Sequence, residues 1–196
     1  MCIFILDNGH GKETPGKCSP DKKLYEWKWT RDFVCDLYNL LLENGIEAHM
    51  LVPEEKDVSL KDRVQRVKEI NTEAKIAGKT CFLISIHINA AKSDDKWHNA
   101  SGFTVWVSKN ASNNSKKLAK LLNTNALAEK LNGNRAAAPD GYNVNNYYIL
   151  KNTPCPAILT ENMFQDNKSD VEFLLSDKGQ KQLLNLHLNA IKEYMK

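Results

Sequence analysis

The segment TCFLISIHI, at residues 80–88, is almost continuously apolar. A strand with one face in water alternates apolar and polar side chains, so this run predicts a strand that helices cover on both faces. Two shorter runs suit the same sheet: CIFIL, at residues 2–6, and PAILTE, at residues 156–161. Such strands are typical of α/β proteins in which the central sheet is largely parallel.

The segments between these runs support that fold class. Apolar residues recur every three or four positions in four segments, which predict helices at residues 24–44, 60–77, 114–131 and about 168–194. Ser59 is placed to cap the second helix, and Gly45 and Gly78 end the first two. Further strands are predicted at residues 46–52, 102–108 (near an edge) and 143–150. At 196 residues, the chain fits a single domain that spans residues 1–196.

Composition disfavours several classes of protein. The net charge of +3 comes with lysines that are spread along the chain, which disfavours nucleic-acid binding. No run approaches the ~20 apolar residues that a membrane helix needs. Five cysteines form no C-x-x-C pair and cannot all be paired, so a disulfide scaffold is not predicted. No signal peptide is visible before the first strand, which predicts a cytoplasmic product unless a leader was removed.

Two histidines follow apolar strands. His10 lies in DNGHG, just after the first strand, and His87 ends the third strand in SIHINA. Ligands of such sheets bind beyond the carboxyl ends of the strands, so we expect both side chains at one edge. Two imidazoles and one carboxylate, with a fourth position open, are the usual ligands of a hydrolytic zinc ion. The sequence therefore predicts a Zn²⁺ site and requires a carboxylate to complete it.

Glu26 is the leading candidate for that carboxylate. It lies in the first turn of the helix that follows the His10 loop. A glutamate in a first turn is also favoured by the helix dipole alone, without any ligand. Four side chains nearby remain alternative ligands: Asp7, Glu13, Asp21 and Cys18.

Glu161 ends the last apolar strand, where an unpaired buried carboxylate would be costly. One interpretation is a general base, which takes a proton from water and passes it to a leaving group. The other is a glutamate held in a salt bridge at the strand end. The spacing of the residues favours neither.

The ordered set of motifs adds a resemblance that covers nearly the whole chain. The segments are DNGHG, LYEW, VSLKDRVQRVKEIN, SIHINA, SGFTVWV, NYYILKNTPCPAILTEN and DVEFLLSDKGQKQLLNLHLNAIKEY. In this order they resemble the zinc-dependent N-acetylmuramoyl-L-alanine amidases of bacterial cell walls and phage endolysins. The resemblance implies a phosphorylase/hydrolase-like fold, with a six-stranded mixed sheet flanked by helices.

The resemblance also assigns roles to four residues. The first zinc histidine of the family falls on His10, its glutamate ligand on Glu26 and its second zinc histidine on His87. Its catalytic glutamate falls on Glu161. These are the residues that the strand ends and the first helical turn already indicate, which favours the ligand and general-base interpretations.

Two departures from the family pattern are visible. Members usually continue after the catalytic glutamate with a small residue, glycine and phenylalanine, whereas Met163 stands at the glycine position here. The second strand lacks the arginine that is common at its end and has Pro53 and Glu54 instead. No inserted helix of the kind that blocks regulated members is visible, so we expect an open site.

Three expectations concern the surroundings of the metal ligands. Asn89, two residues beyond His87, is a candidate contact for the substrate. Asp7 or Asn8 is expected to support the ring of His10. The other histidines are predicted to be surface or core side chains: His49, His98 and His187.

The predicted function is zinc-dependent hydrolysis of the amide bond between N-acetylmuramic acid and L-alanine in peptidoglycan. Two alternatives stay open, a zinc peptidase that cuts stem peptides and a wall-binding module without catalysis. We expect a monomer that acts on the cell wall, as a lysin without a leader or as an exported enzyme whose leader was removed. Its partner is then peptidoglycan, without nucleic acid and without membrane insertion.

Overall fold

The structure is a computed structural model and describes residues 2–135 and 138–196. Its strands are β1 (Cys2–Asn8), β2 (Ala48–Met50), β3 (Thr80–Asn89), β4 (Thr104–Val107), β5 (Asn143–Val144) and β6 (Ala157–Phe164). Its helices are α1 (Glu26–Glu43), α2 (Leu60–Ile76), α3 (Asn113–Ala128), α4 (Tyr148–Asn152), α5 (Lys168–Leu174) and α6 (Asp177–Met195).

The strands form one six-stranded sheet in the order β2-β1-β3-β6-β4-β5. The first four strands in this order, β2, β1, β3 and β6, run parallel to one another. Strand β4 runs antiparallel to β6, and β5 runs parallel to β4. The carboxyl ends of β1, β3 and β6 therefore meet at one edge. The prediction of an α/β fold with a mixed, mostly parallel six-stranded sheet flanked by helices is confirmed.

Both faces of the sheet are buried, because successive side chains of a strand point to opposite faces. On one face Phe4 and Phe82 pack with apolar residues of α1, α3 and α6. On the other face Ile5 and Leu83 pack with residues of α2 and α4. This arrangement explains why β1 and β3 read as continuous apolar runs.

Local chemistry sets the ends of the first two helices as the sequence predicts. The Ser59 side chain accepts a hydrogen bond from the Asp62 amide at 3.2 Å and so caps α2. Gly45 and Gly78, which follow α1 and α2, have φ of +71° and +70°. Glycine adopts that left-handed conformation without steric cost.

Two predicted elements are wrong. Only Asn143–Val144 of the predicted strand at 143–150 pairs with β4, and the chain then forms the short helix α4. The predicted last helix is two helices, because Ser176 accepts a hydrogen bond from the Gly179 amide at 3.0 Å and caps a new helix.

Within the described residues, no helix combines the length and the apolar character that crossing a membrane requires.

Candidate metal centre and active site

The two predicted histidines lie side by side at the carboxyl edge of the sheet. β1 and β3 are parallel neighbours, and the Gly9 amide extends their pairing by donating to the Ile86 carbonyl oxygen at 2.9 Å. This bond carries the chain past the end of β1 alongside β3. The rings of His10 and His87 lie 5.1 Å apart between centroids and are perpendicular to each other.

The segment of residues 8–11 that follows β1, which we call the His10 turn, makes this approach possible. A Cβ atom at Gly9 would lie 2.5 Å from Nδ1 of His87, closer than nonbonded atoms allow. His10 itself has φ of +61°, a left-handed conformation that is uncommon outside glycine and costs energy. Backbone strain of this kind is typical of functional sites, where the surrounding structure maintains it.

Glu26 joins the two histidines from the first position of α1. Its side chain is buried, and Oε1 lies 3.1 Å from Nδ1 of His87 and accepts a hydrogen bond from the Ile88 amide at 2.9 Å. Its Oε2 lies 3.4 Å from Nε2 of His10. One ligand atom from each of the three side chains lies within 4.8 Å of the others.

The charges at this cluster suit a cation. Burial lowers the pKa of His10 to about 4, so its imidazole is neutral near pH 7 and keeps a lone pair. Burial acts to raise the pKa of Glu26, but the hydrogen bond with His87 and the nearby His10 outweigh it and the pKa is lowered. Burial acts to lower the pKa of His87, while the bond to Glu26 raises it above its usual value. A cation at this cluster therefore competes with a proton on His87.

The carboxylate of Glu26 also leaves one acceptor without a donor. Within residues 2–135 and 138–196, its Oε2 has no hydrogen-bond partner and is shut off from solvent. A buried acceptor without a partner is costly, and a bound cation between the three side chains would remove that cost. Two imidazoles and a carboxylate are the donor set of hydrolytic zinc sites, so the residues present fit zinc.

Glu161 lies on β6 directly beside His87 of β3 in the pairing register, so both side chains emerge on the same face of the sheet. Burial raises the pKa of this half-buried carboxyl group to about 7. Its Oε2 atom is shut off from solvent and has no hydrogen-bond partner in the described part of the chain. A carboxyl group that titrates near neutral pH is suited to move protons.

A single cleft of about 440 Å³ connects these groups. Its lining includes the three predicted metal ligands, His10, Glu26 and His87. It also includes the predicted general base Glu161 and the predicted substrate contact Asn89. The side chains of His10 and His87 are 21% and 19% exposed, so solvent reaches the cluster. Residues 90–103, which follow β3, contain no helix.

Two of the alternative ligands, Asp7 and Glu13, have other partners. Asp7 accepts hydrogen bonds from Arg63 and Ser85, so its carboxylate does not support the His10 ring as we expected. Glu13 accepts a hydrogen bond from the Asp57 amide. Of the described residues, only His10, Glu26 and His87 form a group of three potential metal ligands.

The other histidines lie in ordinary settings. His49 is exposed, and His98 contacts Asp94 at 2.6 Å. His187 is fully buried, and its Nδ1 lies 2.9 Å from the Leu183 carbonyl oxygen. Burial lowers the pKa of His187 to about 4, so it is a neutral core residue near pH 7.

Comparison with known proteins gives the family. The family model described as N-acetylmuramoyl-L-alanine amidase matches residues 4–193. The chain belongs to this family. It is 31% identical over 194 residues to the probable cell wall amidase LytH of Staphylococcus epidermidis, a match that covers 97% of this chain and 57% of that protein. The chain thus spans little more than half the length of this amidase relative.

Solved amidase structures share the fold. The N-acetylmuramoyl-L-alanine amidase of Clostridium difficile 630 superimposes with a TM-score of 0.81 at 26% identity, covering 99% of this chain and 96% of that chain. The catalytic domain of the amidase CwlV from Bacillus (Paenibacillus) polymyxa var. colistinus gives a TM-score of 0.79 at 20% identity. That second match covers 100% of this chain and 98% of that chain, and it shows the fold alone.

Sequence reasoning missed two features that surround the site of this amidase-family chain. The first is Arg63, which is 3% exposed and contacts the His10 turn. Arg63 stands beside Val64 on the apolar face of α2. A charged residue on an apolar helix face is unusual, and this was the feature of the sequence that could have indicated its role.

The second missed feature is a bulge on β6, at residues 161–164. Two residues of β6 stand opposite one residue of β3 there, and Met163 has φ of +67°. This left-handed conformation is one that glycine, the residue expected there from the family resemblance, adopts without steric cost. The bulge turns the Met163 side chain into the core on the opposite face from Glu161.

Proposed function

We propose that residues 1–196 form one catalytic domain, which hydrolyses the amide bond between N-acetylmuramic acid and L-alanine in peptidoglycan. The observation that carries this proposal is the meeting of two imidazoles and two carboxylates in one cleft of an amidase-family chain. The enzyme would act on the cell wall, with peptidoglycan as its partner.

His10, Glu26 and His87 would hold a zinc ion. Their ligand atoms lie within 4.8 Å of one another, and the donor set is that of hydrolytic zinc sites. A zinc ion, when bound, supplies Lewis acidity, which polarises a carbonyl group and makes water more acidic. The neutral His10 and the ionised Glu26 are ready to bind it near pH 7.

Glu161 would be the general base. It accepts a proton from the water that attacks the lactyl carbonyl carbon, and it returns that proton to the nitrogen of L-alanine as the amide bond breaks. Its raised pKa, about 7, suits both steps because the group gains and loses a proton near neutral pH.

The rest of the cleft would bind substrate. Asn89 lines it, and its Oδ1 accepts from the Ala90 amide at 2.8 Å, which fixes the side chain. Lys17 and Lys92 line the same cleft and bring positive charge towards the acidic groups of a stem peptide. We propose Asn89 as a substrate contact on this basis.

Two other functions make different products. A zinc peptidase would use the same metal chemistry on a peptide bond, and a wall-binding module would cut nothing. Mass analysis of digested peptidoglycan separates the three, because an amidase releases intact stem peptides, a peptidase releases shortened ones and a binding module releases none. Intact stem peptides are the expected result.

The role of Glu161 is tested with Glu161→Gln and a matched control, Glu172→Gln, which makes the same change at an exposed site on α5. We expect Glu161→Gln to lower the rate of peptide release by about 10²- to 10⁴-fold while zinc content stays at the wild-type level. The control should retain full activity. Equal rates for the wild-type and Glu161→Gln proteins would exclude the general-base role.

A further inference from the structure

Arg63 places a permanent positive charge in the interior of the protein. It lies in the first turn of α2, between that helix and the sheet, and is 3% exposed. A buried guanidinium is costly unless its donors are paired. The acceptors of Arg63 therefore indicate which part of the structure this residue holds in place.

Those acceptors are concentrated in the end of β1 and the His10 turn. Nη1 donates to Oδ1 of Asp7 at 2.6 Å and to the carbonyl oxygen of Asn8 at 2.5 Å. Nη2 donates to the carbonyl oxygen of His10 at 3.2 Å. One planar group thus holds the backbone on both sides of Gly9.

The carboxylate of Asp7 extends this contact to β3. Its second oxygen accepts a hydrogen bond from the Ser85 hydroxyl at 2.6 Å, and Ser85 stands two residues before His87 on the same face of that strand. Nε of Arg63 donates to the Val58 carbonyl oxygen at 2.8 Å and so anchors the guanidinium to the chain before α2. The group therefore joins both histidine-bearing segments to one helix.

His10 needs such support, because its left-handed backbone is not the conformation that a histidine adopts by itself. The direction of an imidazole follows from the backbone that carries it, and carbonyl groups on both sides of Gly9 are held by the same side chain. Hydrogen bonds from a charged donor are stronger than those between neutral groups, which suits them to hold strain.

We propose that Arg63 is a positioning residue for the metal site, which holds the backbone of residues 8–10 so that the imidazole of His10 faces Glu26 and His87. This inference rests on the proposed role of His10 as a metal ligand. In this role Arg63 is not itself a metal ligand and acts through the carbonyl groups of Asn8 and His10.

The test compares zinc affinity in three variants, measured by competition with a chelator. Arg63→Met removes the contacts, and Arg63→Lys keeps a charge opposite Asp7 but has a single nitrogen that cannot reach all three acceptors. The matched control is Arg66→Met, three residues further along α2, where the half-exposed arginine pairs with Glu54 at 2.6 Å away from the cleft.

We expect zinc affinity to fall about 10- to 100-fold in Arg63→Met, because partners that orient a metal-binding histidine have effects of that size. Arg63→Lys should fall between Arg63→Met and the wild type, and Arg66→Met should match the wild type. A second readout is the visible absorption spectrum of the protein loaded with Co²⁺. It should change in Arg63→Met if the coordination geometry relaxes, and a residue that only stabilises the fold would leave it unchanged.

Each outcome decides the matter. Wild-type zinc affinity and an unchanged Co²⁺ spectrum in folded Arg63→Met would overturn the inference and leave the proposed function intact. If Arg63→Met does not fold, the same two measurements on Arg63→Lys decide in the same way. Failure of the wild-type protein to bind zinc would instead overturn the proposed metal site.

Discussion

The His10 turn and the β6 bulge frame the same cleft, and each contains a residue in a conformation that favours glycine. His10 has φ of +61° and Met163 has φ of +67°. The means of support differ. Charged hydrogen bonds from Arg63 hold the backbone around His10, whereas Met163 is held by burial of its own side chain, which is 4% exposed in the core.

The difference follows from what each segment has to place. The His10 turn places the atom that we propose as a metal ligand, whose direction matters, and directional hydrogen bonds from a rigid guanidinium suit that task. The β6 bulge comes directly after Glu161, and it places the Met163 side chain in the core before the pairing with β3 resumes at Phe164. Apolar packing, which is non-directional, is sufficient there.

Of the changes that compare these two segments, Gly9→Ala in the His10 turn has the largest expected effect. The new Cβ would lie 2.5 Å from Nδ1 of His87, so the ring has to move away from Glu26. We expect zinc affinity and activity to fall by about 10²-fold or more, since displacements near 1 Å have effects of that order. Zinc titration and peptide-release assays measure both.

The matched control is Gly45→Ala at the end of α1, where a new Cβ meets nothing within 4 Å but φ is +71°. It should cost about 1 kcal/mol of stability and leave zinc affinity unchanged. If Gly9→Ala also affects stability alone, the His10 turn is no more constrained than the end of an ordinary helix.

A smaller effect, an increase in stability, is expected from Glu161→Gln in the metal-free protein. The carboxyl pKa is about 7 in the folded chain and 4.5 in the unfolded reference, so unfolding lets the group ionise more easily. Stability is therefore fully present below pH 4.5 and falls as the pH rises through 7. Glutamine does not pay this cost, and the variant should exceed the wild type by about 2 kcal/mol at about pH 8.

Urea unfolding of both metal-free proteins near pH 4.5 and pH 8 measures the difference. The exposed Glu172→Gln variant keeps Glu161 and is the control, so its stability should match that of the wild type at both pH values. A Glu161→Gln advantage that is equal at both pH values would contradict the assigned pKa and point to a change in packing.

The smallest expected effect separates backbone strain from packing at Met163. Met163→Gly and Met163→Ala both remove a buried side chain, but only glycine relieves the positive φ. Met163→Gly should therefore be the more stable of the two by about 1 kcal/mol, although both are less stable than the wild type. Urea unfolding of the three proteins side by side is the measurement, and equal stability of the two variants would show that the bulge is unstrained.

The strand ends were predictable from the sequence because the apolar runs are continuous and the strands are parallel. His10, His87 and Glu161 each follow or end such a run, and parallel strands deliver their carboxyl ends to one edge. Glu26 was predictable from the start of a helix. These predictions depend on the local pattern of apolar residues and on the rule that the carboxyl ends of parallel strands lie at one edge of the sheet.

Arg63 was not predictable in the same way, because its contacts with β1 and the His10 turn lie more than 50 residues away in the chain. A buried and a solvated arginine look alike in a sequence unless the partner is known. The positive φ of His10 and Met163 was equally hidden, since both depend on how the ends of β1 and β6 are packed.

The two wrong elements have physical causes. The Val, Tyr, Ile and Leu residues of positions 143–150 favour a strand, but Ile149 and Leu150 are both buried against α2 in a short helix. In the last segment, apolar spacing continues through Leu174 and Leu175, and it concealed the capping serine that begins α6.

His187 sets an acid limit on the fold from a position away from the cleft. Its pKa falls from 6.5 to about 4 on burial, so the unfolded chain takes up a proton that the folded chain refuses. Acidification from pH 6.5 towards 4 therefore lowers the stability of the metal-free fold through this imidazole, whereas a rise in pH from 4.5 to about 7 lowers it through Glu161. The two intervals overlap, so between about pH 4.5 and 6.5 these buried groups change the stability in opposite directions and partly cancel each other.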